Sequence, residues 1–444
     1  MGSGTRNCPR ISKDVCYDPT VIRAIVVLSV LCLTACGNTA ASSIQQKASP
    51  TPQAANLPAL PPVVQVRVAT GPNGAQPQLT ASPSGAVLSW VEQVGKTSTL
   101  KFSERTAGRW SAPRRVTSGD DWFISWADVP SVIRLSNGTL VAQWQQKSHP
   151  FFEAYNLRLA YSKDAGATWS KSFLPHHDGT TTQHGFASMF EIPGNGALGL
   201  VWLDGRETAE GTTAPDGGAM ALRYAAFDGA WKQTVDVVAD PRVCECCSTS
   251  AAVTSDGVIT AFRDRDGSEV RDIHVMRLAG GAWSEATTVH RDNWKIEACP
   301  VNGPAISARG RAVAVAWFTA VGDQPHSYAA FSSDAGRSWG PPIRLDDRAS
   351  LGRVDIELLD DGTAVATWME YSDAKGGFRA RRIARTGARS AALEVAASVG
   401  GRATGHPHIG RAGNELVFAW AEGTGGAEDT DGQQLRTALM PLPR

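Results

Sequence analysis

The chain has no excess of charge of either sign: 43 basic and 43 acidic residues leave a formal net charge of zero over 444 residues. Nucleic acid and acidic bilayers select a basic face, so this balance argues against both as partners. The apolar run Ala24–Leu33, behind Arg23, is too short to span a bilayer and fits the core of an export signal. Cysteine is scarce, with eight in the whole chain and only four beyond residue 36. What is plentiful is 44 glycines, 25 prolines and 14 tryptophans, a composition suited to many short strands joined by turns. The length suits two or three ordinary domains or one large all-β domain.

The apolar run ends in Leu33-Thr34-Ala35-Cys36. This resembles the lipobox of bacterial lipoproteins. The resemblance implies cleavage before Cys36, lipidation of its thiol and anchoring to a membrane. Gly37, where a retention signal would carry Asp, points by the same resemblance to the outer membrane of the cell envelope, facing the periplasm or the surface. Residues 1–20 carry Asp14, Asp18 and two cysteines, which is unusual ahead of a signal core, so the start is expected nearer Val21. Residues 1–35 are therefore read as the signal segment and 36–62 as anchor and flexible tether, rich in Ala, Ser, Gln and Pro. Residues 63–444 form the folded part.

That part repeats. A short strand, a glycine turn and an apolar strand holding an aromatic recur, with anchors at Trp90, Trp144, Trp202, Phe262, Trp317, Trp368 and Trp420, spaced 51 to 60 residues apart. A period of this size with several strands per unit predicts an all-β propeller. Further tryptophans (Trp110, Trp169, Trp231, Trp283, Trp339) open the fourth strands, so most of the indoles are read as core between blades. The seventh unit has three strands before the chain ends, and residues 63–70 (VVQVRVAT) are expected to supply the fourth. This closes the ring and removes two sheet edges. Seven blades are expected, with six as the alternative.

Two turns carry a sharper pattern, Ser162-x-Asp164-x-Gly166-x-Thr168-Trp169 and Ser332-x-Asp334-x-Gly336-x-Ser338-Trp339. Here the chain resembles the sialidase superfamily with its Asp-box (BNR) repeats. The resemblance covers the chain from about Val63 onward. It implies that these turns join third and fourth strands on the face opposite the usual active site, which makes them evidence for fold and not for catalysis.

Chemistry is therefore sought in the loops of the other face, which hold Asp120, Asp121, Trp122, His149, His176, His177, His184, Asp204, Asp264, Arg271, His406 and His408. Cys244, Cys246 and Cys247 lead into blade 4 and Cys299 into blade 5, so all four are expected together at one rim. In an oxidising compartment one or two disulfides are the default. The sharper alternative is a thiolate site for copper(I) or zinc, although Cys-x-Cys-Cys matches no familiar zinc spacing. The sialidase resemblance implies a three-arginine carboxylate clamp, a tyrosine nucleophile activated by Glu, and an Asp acid/base. The family's Arg-Ile-Pro motif is missing. Arg206, Arg263, Arg265 and Arg353 are the substitute candidates, with Arg353 central, and Tyr371 beside Glu370 is the candidate nucleophile. Arg263 and Arg265 alternate with Asp264 and Asp266, a pattern equally suited to a structural network. Two functions stay open: a sialidase-like glycoside hydrolase or binder of an anionic glycan, and a non-catalytic binding or assembly propeller with a cysteine-based metal or disulfide site. The sequence leaves the oligomeric state open.

Overall fold

The computed structural model describes residues 56–151, 153–194, 196–209, 218–372, 375–398, 404–423 and 432–443. The signal segment, Cys36 and the tether up to residue 55 lie outside the described residues.

Seven antiparallel sheets follow one another along the chain. Blade 1 is built from Gly74–Ser82, Gly85–Val94, Thr97–Thr106 and Arg114–Gly119. Blade 2 is Ser131–Arg134, Leu140–Lys147 and Tyr155–Ser162, with Phe173 bridging Leu159 at its rim. Blade 3 is His184–Ile192, Ala197–Asp204, Ala221–Phe227 and Gln233–Asp240. Blade 4 is Ser250–Thr254, Gly257–Arg263, Ile273–Ala279 and the short outer pieces Ala282–Trp283 and Thr287–Thr288. Blade 5 is Ala305–Arg309, Ala312–Thr319, His326–Ser332 and Ile343–Arg344. Blade 6 is Ser350–Leu358, Ala364–Ser372, Lys375–Ile383 and Leu393–Ser398. Blade 7 is His408–Ala412, Glu415–Gly423 and Gln433–Pro441. Its fourth strand is Val64–Val66, which pairs antiparallel with Gln433–Pro441 (Val64 opposite Leu439, Val66 opposite Thr437). The ring thus closes through the N-terminal strand with seven blades, not six. Packing against the ring begins before Val63: Leu60 is buried beside Met440 and Val395, and the Leu57 amide donates to the Arg389 carbonyl (3.2 Å).

The reason for seven lies in the seams. There are seven apolar clusters among the described residues, each shared by two neighbouring blades. Every anchor fills the seam with the blade before it: Trp144 packs against Val87 and Leu100, Trp202 against Ile133 and Leu159, and Trp317 against Ile259 and Val275. Trp90 of blade 1 meets Val417 and Ala419 of blade 7. Burying an indole this completely is worth about 3–5 kcal/mol by the cost of truncating it, which makes these residues the framework of the ring.

Three anchors share a second feature. The indole N–H donates to the carboxylate two residues on, on the same face of the strand: Trp90 to Glu92 (2.8 Å), Trp202 to Asp204 (2.9 Å) and Trp368 to Glu370 (3.0 Å). In blade 5 the partner of Trp317 is Asp292, from the preceding loop (2.7 Å).

The two Ser-x-Asp-x-Gly turns adopt one structure. Ser162 and Ser332 donate to Asp164 and Asp334 (2.7 Å each) and accept the amides of Gly166 (2.8 Å) and Gly336 (2.9 Å). The same carboxylates accept the Thr168 and Ser338 amides (2.9 Å each). Gly166 and Gly336 sit at φ +85° and +80°, where a side chain is strained, and a Cβ at Gly336 would stand 2.1 Å from Ile259 Cδ1. Trp169 and Trp339 are half-buried against Phe102 and Val313 respectively. The turns tie third strands to the blade rims, and nothing in them faces the channel.

Candidate functional site

The innermost strands of all seven blades surround a central channel of about 860 Å³. The loops that enter these strands form its mouth. Their sharpest feature is on the rim between blades 3 and 4.

Cys244, Cys246 and Cys247 occupy the loop from Gln233–Asp240 to Ser250–Thr254. Cys244 Sγ lies 3.2 Å from Cys247 Sγ and 3.9 Å from Cys246 Sγ, and none of the four described cysteines is in a disulfide. The Cys244 and Cys247 side chains are buried, while Cys299 is exposed and reaches Cys246 from the next loop. The expected convergence of the two loops is therefore present. The cluster is electrostatically asymmetric. Burial pushes the Cys244 thiol up, but its contacts with Cys246 and Cys247 and the charges of Arg263 and Arg271 outweigh that and bring it well below the ordinary value. Burial and the contacts with the other three sulfurs raise Cys246, and burial and the Cys244 contact raise Cys247. Arg271 Nη1 is 3.4 Å from Cys244 Sγ and pairs with Glu245 (2.9 Å) and, through Nη2, with Glu269 (2.8 Å). A thiolate at Cys244 beside two further sulfurs is a soft donor set.

Next to it, on the loop into blade 3 and at the ends of its first two strands, stand His176, Asp178, His184, Asp204 and, just beyond, Arg206. Asp178 was not singled out in the sequence, although the segment His176-His177-Asp178, six residues ahead of His184, carries the signal. His177 itself turns outward to Gln233 (3.2 Å).

The four candidate arginines have their donors engaged by the protein. Arg206 grips Asp204 through two nitrogens (2.7 and 2.8 Å). Arg265 binds Glu269 (2.7 Å) and reaches Glu245 (3.4 Å). Arg263 is 2% exposed and donates to the carbonyls of Arg271, Asn302 and Phe318 (2.6 to 3.0 Å), with Trp294 beneath it. Arg353 donates to Thr404 Oγ1 (2.6 Å) and the Gly405 carbonyl (2.9 Å) and lies over the Trp126 ring, which His406 also stacks against. Glu370 and Tyr371 are consecutive in a strand and so face opposite sides of the sheet. Glu370 is buried and accepts the Trp368 indole, and Tyr371 is exposed.

The remaining polar mouth residues are tied locally. Asp120 accepts from Thr97 and Asp121 from Gln146 (2.6 Å each), Trp122 stacks on Trp144, and His149 accepts the Phe151 amide (3.2 Å). His408 contacts Asp355 (3.0 Å), and Asp264, pushed by burial up to about 6, stands 3.3 Å from His274.

Asp128 is the most perturbed carboxyl facing the channel. Burial pushes it up to about 7, against the Phe186 amide (2.8 Å), the Tyr155 hydroxyl (2.8 Å) and Gln145 (2.7 Å), all of which donate to it. Its folded value lies above the unfolded one, so between the two the native state binds more protons. The contribution to stability is complete below about pH 4 and is lost as pH rises through about 7. The unfolding free energy of wild type minus that of Asp128→Asn should therefore fall across this window in urea titrations. A difference that stays flat, or rises, would contradict the assignment.

No protein-family model matches the chain, and no curated protein matches it in sequence. Solved structures do match in fold. The endosialidase of phage phi92 superposes with a TM-score of 0.50 at 10% identity, covering 86% of this chain and 70% of that one. The polysaccharide lyase Uly1 gives 0.48 at 9% identity, covering 90% and 95%. The NanB sialidase of Streptococcus pneumoniae gives 0.44 at 10%, covering 81% and 83%. At such identities the likeness speaks for the fold alone.

Proposed function

We propose, from the premise that the chain is a sialidase-like seven-bladed propeller, that it is a non-catalytic envelope protein that binds a soft metal ion, copper(I) or zinc, through Cys244, Cys246 and Cys247. Lipid on Cys36 would hold it at the outer membrane. The observation that carries the reading is the convergence of three sulfurs, unbonded to one another, with Arg271 beside the most acidic of them. A thiolate is both the metal ligand and the form this environment favours. The Cys299 loop reaches the same cluster.

The test is metal content and free-thiol titration on protein matured outside the cytoplasm. One equivalent of copper or zinc is expected, with thiols that react only after chelation. Cys247→Ser should weaken the ion by at least about 100-fold, since even outer-shell losses cost 10–100-fold. Reactive thiols without metal, or no free thiols because disulfides have formed, would sink the reading.

A second reading, binding of an anionic glycan in the channel, is favoured by the channel's volume of about 860 Å³, which suits a small ligand. The hydrolytic form of this reading needs free arginine donors and a Tyr–Glu pair on one face. A fluorogenic sialoside assay separates the two: turnover abolished by Tyr371→Phe would restore the glycosidase.

A further inference from the structure

The cysteines at this rim are graded in exposure, and binding an ion does not by itself need that grading. Cys244 and Cys247 are each 1% exposed, Cys246 is half-buried, and Cys299, on the loop into blade 5, is exposed. We propose, resting on the thiolate reading above, that the ion is copper(I) and that Cys299 is its transfer ligand, through which the three inner sulfurs exchange it with a sulfur-donor carrier.

The backbone holds Cys299 where this role requires it. Its loop is pinned on both sides of the cysteine. On one side Lys295 bridges Val270, and the Ile296 amide donates to the Glu269 carbonyl (3.0 Å), close to Arg271. On the other side Gly303 packs tightly on Ser248, the residue after Cys247: a Cβ at Gly303 would stand 2.0 Å from the Ser248 carbonyl oxygen. The neighbouring Asn302 carbonyl accepts two nitrogens of Arg263 (3.0 and 2.9 Å), and the Arg263 carbonyl in turn accepts the Cys244 amide (3.0 Å). The short span between these anchors brings the Cys299 thiol to Cys246, the one inner sulfur that is only half-buried.

The donor set selects the ion. Among the described residues the cluster holds three sulfurs and no nitrogen or carboxylate oxygen. Glu245, between two of the cysteines, is turned to Arg271 (2.9 Å) and Arg265 (3.4 Å). A closed zinc site takes four ligands, almost always tetrahedral, so three sulfurs leave zinc one short. Copper(I) is the softer ion and suits thiolates without a fourth partner. The Arg263 and Arg271 charges act on Cys244 and offset the negative charge that three thiolates bring together around a monovalent ion.

A carrier cannot touch Cys244 or Cys247 in place, because both are buried. Transfer therefore runs by exchange of sulfur ligands. The Cys299 thiol bonds the ion as one carrier sulfur leaves, and the proton it gives up goes to that departing sulfur. Cys246 follows in the same way as the next carrier bond breaks, and the reverse order unloads the site. No electrons change hands, and each ligand must lose its proton to bind.

The experiment uses the full chain, reduced and kept free of oxygen. Copper(I) is supplied as its glutathione complex, and bathocuproine disulfonate takes it back. One equivalent should load, and zinc should bind at least about 100-fold more weakly. Cys299→Ser should slow both loading and removal by at least about 10-fold. A second measurement needs no variant. In the loaded protein iodoacetamide should modify Cys299 and spare Cys244, Cys246 and Cys247, read by peptide mass spectrometry, since bonded and buried thiols are shielded. Three results would each overturn the proposal and leave the thiolate reading standing: zinc bound as tightly as copper(I), wild-type exchange rates in Cys299→Ser, or a Cys299 that is protected in the loaded protein. A protein that takes up neither ion overturns both.

Discussion

Arg263→Ala should cost the protein at least about 4 kcal/mol, read as a fall in the urea midpoint. The guanidinium is buried at the end of the second strand of blade 4 and joins three segments: its own blade through the Arg271 carbonyl, the loop into blade 5 through Asn302, and the second strand of blade 5 through Phe318. Removing it leaves three carbonyls in the seam without donors. Each orphaned buried group costs about 1–3 kcal/mol, and the lost packing on Trp294 adds to that. Arg263→Lys should recover only part, because one ammonium cannot reach three directions at once. Arg263→Ala should also slow alkylation of Cys244, whose thiol the Arg263 charge helps to lower. A variant with wild-type stability that has lost only ligand binding would instead return Arg263 to the role of an anion clamp.

Deleting residues 57–70 should leave the protein insoluble or lower its stability by several kcal/mol. The segment covers the outer edge of Gln433–Pro441, where Thr437 Oγ1 also donates to the Val66 carbonyl (2.7 Å). It buries Leu60 in the seam of blades 6 and 7, and Val68 packs on that of blades 7 and 1. Full burial of one leucine is worth about 1.5–3 kcal/mol, and the exposed edge becomes a template for pairing with other chains. Val64→Ser is the control. That side chain is 61% exposed, so the change should stay within about 0.5 kcal/mol, because the strand closes the ring with its backbone. A soluble deletion variant with an unchanged midpoint would show that the ring does not need the strand Val64–Val66 to close blade 7.

The blade count was readable because each seam needs a large apolar residue from the second strand of one blade, and that need recurs once per unit as Trp90, Trp144, Trp202, Phe262, Trp317, Trp368 and Trp420. The carboxylate two residues after three of these anchors was also in the sequence, and it explains Glu370 better than a role beside Tyr371 does. Strand alternation was enough to separate that pair. Convergence of the cysteines followed from topology, since loops entering neighbouring blades share a rim.

The sequence by itself determined the propeller, its closure and the rim that carries the sulfurs, because these depend on periodic apolar burial and on chain order. Only the tertiary structure decided what the polar side chains do. Arg263 and Arg353 look like ligand-binding arginines in one dimension, but they are held by backbone carbonyls, and a carbonyl acceptor leaves no trace in residue type. His176, Asp178 and His184 gain their meaning the same way. Their spacing hints at a cluster, but the contacts of both imidazoles with Asp178 arise where the loop into blade 3 folds back on the first residue of its innermost strand.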